Sequence, residues 1–278
     1  GGQRRKGLEG KGPTPAAKDR PGHPAARRAK SADRKQPKRQ ARRPSEDIVA
    51  GRNPVVEALR ARTPATELLV QLRIDLDDRV HEAVTLASAA GLEVKEVPKH
   101  VIDERAGDVV HQGLLLIAEP FRYTELDSLL DTPDPLWVVL DQVTDPRNLG
   151  AIIRSAAAFG AAGVIIPERR SAQVTAAAWK TSAGAAARIP VARATNLNRA
   201  LKQYADAGFV VAGLAGEADL DVSGIPGVDG PVLLVVGSEG EGLSRLVRDN
   251  CDVLVSIPID SDVESLNASV AASIALYE

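Results

Sequence analysis

Cysteine is almost absent, with Cys251 the single thiol among 278 residues. One thiol excludes an internal disulfide framework and a cysteine-rich zinc cluster, and it fits a reducing, cytoplasmic compartment. Cys251 itself reads as a small core residue. Methionine is missing altogether, an initiator included, which suggests a processed or trimmed chain and carries no functional meaning. No apolar run approaches the roughly 18 residues a membrane-spanning helix needs, and the N-terminus lacks the apolar stretch of a signal peptide, so neither membrane insertion nor export is expected. The four histidines, His23, His81, His100 and His111, are scattered without metal-ligand spacing, and no metal is expected.

Net charge is small, −2, but it conceals two opposite parts. Residues 1–46 hold 15 Lys/Arg against 4 Asp/Glu, a net of +11, and the remaining chain carries −13. The same 46 residues contain six of the 18 prolines, with Leu8 the only large aliphatic and no aromatic. Such a segment cannot bury enough surface to offset its ordering entropy, so a disordered basic tail is expected at 1–46. Its charge suits a polyanion, nucleic acid first and an anionic membrane surface second; a merely solubilising extension is the plain alternative.

From Asp47 the pattern changes to short apolar runs and amphipathic segments. A turn at Gly51-Arg52-Asn53-Pro54 leads into a helix-like Val55–Arg60. Glu67–Val70 reads as a strand, Asp77–Ala90 as a helix closed by Gly91, and Leu92–Val97 and Gly113–Ala118 as strands. This is a small α/β domain over 47–121, followed by a linker over 122–135. Residues 136–278 then alternate. Strands are expected at Leu136–Leu140, Gly163–Ile166, Val191, Phe209–Ala212, Val232–Val236 and Val253–Ile257. Helices are expected at Asn148–Phe159, Thr175–Ala183, Asn196–Ala207, Leu243–Asn250 and Ser265–Tyr277. Alternation of this kind implies a parallel sheet covered on both faces, with chemistry in the loops beyond the carboxyl ends of the strands.

Three such loops collect polar groups. The first, Asp141 to Gly150, enters a helix that Asn148 is placed to cap and that carries Arg154 and Ser155; an anion site and a capped helix with a surface arginine are both open. The second, Gly237-Ser238-Glu239-Gly240-Glu241-Gly242, lets backbone approach a ligand closely but lacks the Gly-Lys-Ser/Thr of a phosphate loop and presents two carboxylates. A cationic or neutral ligand fits it better than a nucleoside triphosphate, and the sulfonium S-adenosylmethionine is one such ligand. The third, Ser256 to Glu264, runs into Ser265, Asn267 and a helix of small residues, Ala268, Ala271, Ala272 and Ala275, suited to dense packing or a dimer face.

In this order the three loops resemble the three motifs of the SpoU branch of the SPOUT RNA methyltransferases. Asn148-Leu149-Gly150-Ala151-Ile152-Ile153-Arg154-Ser155-Ala156 resembles the first, Leu234 through Leu243 the second, and Ile257-Pro258 through Ser265-Leu266-Asn267-Ala268-Ser269-Val270-Ala271 the third. Val49-Ala50-Gly51-Arg52-Asn53-Pro54-Val55 and His111-Gln112-Gly113-Leu114 resemble the substrate-binding domain of ribose 2′-O-methyltransferases that act on guanosine of 23S rRNA. The resemblance spans 48–278. It implies an α/β trefoil-knot methyltransferase domain with a parallel sheet, holding S-adenosylmethionine, after a ribosomal-protein-like RNA-binding α/β domain. It further implies a homodimer with the site near the subunit interface and a role in rRNA processing. Gly237, Ile257 and Leu266 match positions that contact the methyl donor, with Leu214 and Ala215 beside them. Asn148, Arg154, Glu239, Ser265 and Asn267 match the polar positions around the reacting centre, Asn148 and Arg154 beside a donor held by the partner chain. Glu239 is open to two roles, orienting Arg154 or the third motif, or holding its own loop. His111 falls in the other domain, in a structural or RNA-contacting role.

Other readings keep the fold and change the target: transfer RNA, a resistance-type adenosine of rRNA, or RNA binding in ribosome assembly without turnover. A dinucleotide-dependent oxidoreductase is disfavoured, since no Gly-x-Gly-x-x-Gly opens the first strand–helix unit. Deleting residues 1–46 is expected to weaken RNA affinity and flatten its salt dependence while donor binding persists; equal salt slopes with and without the tail would remove its role in RNA binding.

Overall fold

The computed structural model describes residues 47–129, 136–227, 229–260 and 265–278. The expected basic tail lies outside them.

Four short strands, β1 (Asp47–Ala50), β2 (Ala65–Gln71), β3 (Glu93–Val97) and β4 (Leu114–Ala118), form a first sheet in the order β1-β4-β2-β3. β4 runs antiparallel to both neighbours, while β2 and β3 are parallel. All five residues of β4, Leu-Leu-Leu-Ile-Ala, are buried because both faces are covered. Leu114 and Leu116 meet α1 (Arg52–Arg60) and α2 (Asp78–Ala89) through Val55, Val56, Val80 and Ala83, whereas Leu115 and Ile117 meet α3 (Lys99–Ala106) through Ile102 and Ala106. The two-residue period of a strand divides the run between the layers. Asp77 caps α2 as its position suggests, its carboxylate accepting from Val80 N at 2.9 Å. Two elements, β1 and α3, go beyond the sequence reading.

The second sheet has seven strands: β5 (Leu136–Leu140), β6 (Gly163–Pro167), β7 (Val191–Ala194), β8 (Val210–Leu214), β9 (Leu220–Asp221), β10 (Val232–Val236) and β11 (Val253–Ser256). Their order is β7-β6-β5-β10-β8-β11-β9, and every neighbouring pair is parallel. One face carries α4 (Pro146–Ala158), α5 (Ala176–Ser182) and α8 (Ala268–Tyr277), packed on Val138, Leu140, Val164 and Leu234. The other carries α6 (Leu197–Asp206) and α7 (Arg245–Arg248), packed on Trp137, Val139, Ile165 and Leu233. The expected doubly covered parallel sheet is what forms. Residues expected to make a linker are tied down along their described part: Thr124 N donates to Val191 O at 2.9 Å, and the Tyr123 hydroxyl accepts from Val174 N at 2.9 Å.

The sequence reading placed Asn148 as the cap of α4, and the structure corrects it. The helix starts two residues earlier at Pro146, and Asp145 is the cap, accepting from Arg147 N at 2.8 Å. Proline pre-sets the first helical φ and gives up an N–H that would be unpaired there, so Asp-Pro outcompetes Asn148. Asn148 keeps its amide free for other partners. Further along, a Cβ on Gly150 would lie 2.3 Å from Ala178 O and 2.8 Å from Thr181 Cβ, so glycine is what lets α4 and α5 touch. Gly150→Ala is expected to lower stability by about 1–3 kcal/mol through overpacking, read from the midpoint of urea unfolding.

Between the two sheets, α1 sits on α5: Trp179 Nε1 donates to Ala61 O at 3.3 Å, and Lys180 pairs with Glu57 at 3.0 Å. Among the described residues no helix is long and apolar enough to cross a membrane.

Candidate functional site

Because the seven strands are parallel, the loops after β5, β10 and β11 emerge along one edge of the sheet. They deliver Asn148, Glu239 and Asn267 to a single point. Glu239 Oε1 accepts from Asn148 Nδ2 at 3.2 Å, from Ala268 N at 3.4 Å and, more closely, from Asn267 Nδ2. Asn267 Nδ2 also donates to Asn148 Oδ1 at 3.1 Å, while its Oδ1 caps α8 by accepting from Ser269 N at 2.9 Å. A carboxylate held by two side-chain amides and a backbone N–H has one orientation available to it. The cluster faces solvent, where such bonds contribute on the order of 1 kcal/mol each, so its main effect is positional.

Glu239 thus joins the first and third loops, one of the two roles open to it from sequence, without contacting Arg154. Arg154 is exposed on α4 and makes no hydrogen bond or ion pair with the described residues. Its neighbour Ser155 shares a 2.7 Å hydrogen bond with Ser273 that clips α4 to α8. Ser265 is exposed and stands outside the cluster.

Beside the cluster lies a cleft of about 520 Å³ between the carboxyl ends of β8, β10 and β11 and the approach to α8. All five residues expected to touch a donor, Leu214, Ala215, Gly237, Ile257 and Leu266, line it. Glu239 and Asn267 border it, each flanked in sequence by lining residues, Ser238 and Gly240 for one and Leu266 and Ala268 for the other. Its walls combine apolar side chains with the carboxylates of Glu217, Glu241 and Asp260. Among the described residues the one cation on the lining, Arg248, is bound to Glu217, and that pairing holds the Glu217 carboxyl below its ordinary range. A small ligand with an apolar body and a positive centre suits these walls, whereas phosphate would meet repulsion. S-adenosylmethionine fits that description.

The loop itself is set by close backbone contact. Ser238 N donates to Gly242 O at 3.0 Å and Gly242 N to Ser238 O at 3.1 Å, closing a tight hairpin in which Gly240 and Gly242 have φ of 79° and 65°. Asp141 anchors its far end: buried at the end of β5, its Oδ2 accepts from Ser244 N at 2.6 Å. That supporting role escaped the sequence reading, and the only signal for it is a carboxylate closing a run of apolar strand residues.

His111 is buried in the first domain between Asp103 Oδ1, 2.7 Å from its Nε2, and Gly113 N, which donates to Nδ1 at 3.0 Å. Cys251 is half-buried among core residues, and burial pushes its thiol up to about 12.

Residues 135–277 match the family model described as SpoU rRNA Methylase family, and residues 48–124 match RNA 2′-O ribose methyltransferase substrate binding. A protein of Mycolicibacterium vanbaalenii described as an uncharacterized tRNA/rRNA methyltransferase is 56% identical over the whole of this chain and 90% of its own length. A counterpart of the same description in Mycobacterium marinum is 55% identical with equal coverage. Among solved structures, the SpoU methyltransferase AviRb from Streptomyces viridochromogenes in complex with AdoMet is similar with a TM-score of 0.60 and 29% identity, over 84% of this chain and 88% of that one. An AdoMet-bound rRNA methyltransferase from Sinorhizobium meliloti is similar with a TM-score of 0.57 and 28% identity, over 84% and 85%. The ordered triplet of loops, the cleft they frame and these matches agree: the chain belongs to the SpoU family of RNA methyltransferases, whose methyl donor is S-adenosylmethionine.

Proposed function

We propose that the protein methylates the ribose 2′-hydroxyl of a guanosine in 23S rRNA, acting in the cytoplasm as a homodimer during rRNA processing. The observation that carries this reading is the Asn148–Glu239–Asn267 cluster bordering a cleft suited to a cationic donor. Ribose chemistry is supported by the description of the substrate-binding match, and rRNA by that of the Sinorhizobium meliloti neighbour. Guanosine rests on the resemblance of Val49–Val55 and His111–Leu114. The same reading takes the C-terminal sheet as tied in a trefoil knot.

When bound, the donor supplies a sulfonium-activated methyl whose thioether leaves as a neutral group. The protein's task is therefore on the side of the nucleophile, whose hydroxyl gives its proton to solvent water as the O–CH3 bond forms and the S–CH3 bond breaks. An arginine guanidinium is a permanent cation, so Arg154 serves as a fixed positive charge that favours the developing alkoxide. Glu239 and the two asparagines hold the loops around that point in register. A dimer is supported by Phe159, Val270 and Tyr277, which expose 43%, 45% and 74% of their surface on α8 and the end of α4. The rings of Phe159 and Tyr277 touch edge to face, with centroids 5.9 Å apart. The family resemblance is what places Arg154, on α4, beside a donor held by the partner chain.

The test is transfer of labelled methyl from S-adenosylmethionine to unmodified 23S rRNA, with the product nucleotide mapped by mass spectrometry. A 2′-O-methylguanosine in that RNA supports the reading. Incorporation only into transfer RNA, or into adenosine, would overturn the substrate assignment, and donor binding with no incorporation into any RNA would overturn catalysis.

A further inference from the structure

One position at the carboxyl edge of the sheet carries a local backbone cost. Arg170 has φ of 57°, a left-handed conformation that disfavours any residue with a Cβ, in the exposed loop after β6. Arg147 is the second residue of α4, exposed at a helix N-terminus where Asp145 caps its N–H. Arg169 is exposed beside Arg170. None of the three arginines has an ion pair among the described residues. Non-glycine strain kept at an exposed site points toward function rather than stability.

The two loops that bear them are fastened together. Ala172 N donates to Val143 O at 2.8 Å, and Ser171 Oγ donates to the same oxygen at 3.4 Å. Gln142, next to Val143, is itself left-handed with φ of 57°. The loop after β6 is held at its start as well, Glu168 N donating to Ala194 O at 2.9 Å. Strand order then fixes where this cationic strip lies. The donor cleft occupies the ends of β10, β8 and β11, the amide–carboxylate cluster bridges from β10 to β5, and the arginines follow at β5 and β6 on the side away from the donor. Arg147 directly precedes Asn148 of the cluster. The loop carrying Arg169 and Arg170 runs on into α5, the helix on which the substrate-binding domain sits through Trp179 and Lys180.

We propose that Arg147, Arg169 and Arg170 form a phosphate-binding strip that carries the RNA backbone from the substrate-binding domain to the reacting ribose. This rests on the RNA-methylating reading above and specifies how that substrate is held. Planar guanidiniums suit phosphate oxygens bidentately, and contacts of this type set register without reading sequence. The carboxylate-lined cleft on the opposite flank repels the same backbone, so the charge on the two sides sorts donor from acceptor.

The test compares the wild-type chain with the triple variant Arg147→Ala/Arg169→Ala/Arg170→Gly, and with Arg170→Gly alone, for binding of transcribed 23S rRNA across a salt series. Each lost phosphate contact should make the log–log salt slope shallower by about 0.7–0.9, so the triple variant should lose about 2–3. Its KM for RNA should rise about tenfold or more, while its affinity for S-adenosylmethionine matches wild type. Arg170→Gly guards against misfolding, since glycine accepts the left-handed backbone: its Tm should be no lower than wild type although its salt slope is shallower. Slopes parallel to wild type in both variants would overturn the proposal. Failure of the enzymatic reading shows separately, as a wild-type protein that methylates no RNA.

Discussion

Arg154→Ala is expected to reduce methyl transfer by about 10²–10³-fold, the scale typical of losing one preorganised group at a developing oxyanion. Because Arg154 is exposed on α4 and bonds to nothing among the described residues, its removal leaves no buried group unpaired. Thermal stability and donor affinity should therefore stay at wild-type values, which separates a role in the reaction from a role in folding. Arg154→Lys sharpens the point, since it keeps the charge and loses the planar fork, and it should restore only part of the rate. Single-turnover transfer at saturating donor and RNA measures both. A lysine variant as fast as wild type would show that charge alone suffices, and an alanine variant as fast would remove Arg154 from the reaction.

Gly237→Ala should weaken donor binding by a purely steric route. A Cβ at this position would lie 2.2 Å from Gly242 C, 2.3 Å from Gly242 O and 2.5 Å from Leu243 N. These are backbone atoms of the hairpin that walls the cleft, and they cannot swing aside as the tip of a long side chain can. The hairpin must open, breaking the paired bonds between Ser238 and Gly242 and pulling on the Asp141–Ser244 anchor. Affinity for S-adenosylmethionine by calorimetry is expected to fall at least about tenfold, with stability lowered by roughly 1–3 kcal/mol. An affinity within twofold of wild type would mean that this wall is not part of the donor site.

Most of the regular structure is legible in the chain because apolar runs and turn residues agree. β5 and β10 begin and end where their apolar runs do, and α2 follows from Asp77 and Gly91. α3 is not legible, since Lys99-His100-Val101-Ile102-Asp103-Glu104-Arg105-Ala106 offers only Ile102 and Ala106 as its buried side chains and shows no helical stripe. The cap of α4 was assigned to Asn148 because asparagine is a good cap, but a competing Asp-Pro pair stands just upstream. At the site, the motifs name Asn148, Glu239 and Asn267 individually. Their meeting depends on β10 lying beside β5, which alternation of strands and helices does not specify. The same holds for Asp141, whose partner at Ser244 is remote in sequence. Strand order, more than residue type, is the information that periodicity leaves out.

That order also bears on how the chain acquires its structure. β10 is the middle of the seven-stranded sheet, pairing Val232–Val236 with β5 on one side and β8 on the other, and both partners precede it in the chain. Until it arrives, β5 and β8 each present an unpaired edge, and β5 presents Leu136-Trp137-Val138-Val139-Leu140, an apolar strand with no charge to discourage self-association. Non-local parallel pairing of this kind closes slowly, so refolding should be limited by the step in which β10 joins β5 to β8, with β11, later in the chain, still to add beyond β8. During synthesis that interval is when the nascent chain is most exposed to aggregation and has most need of a chaperone.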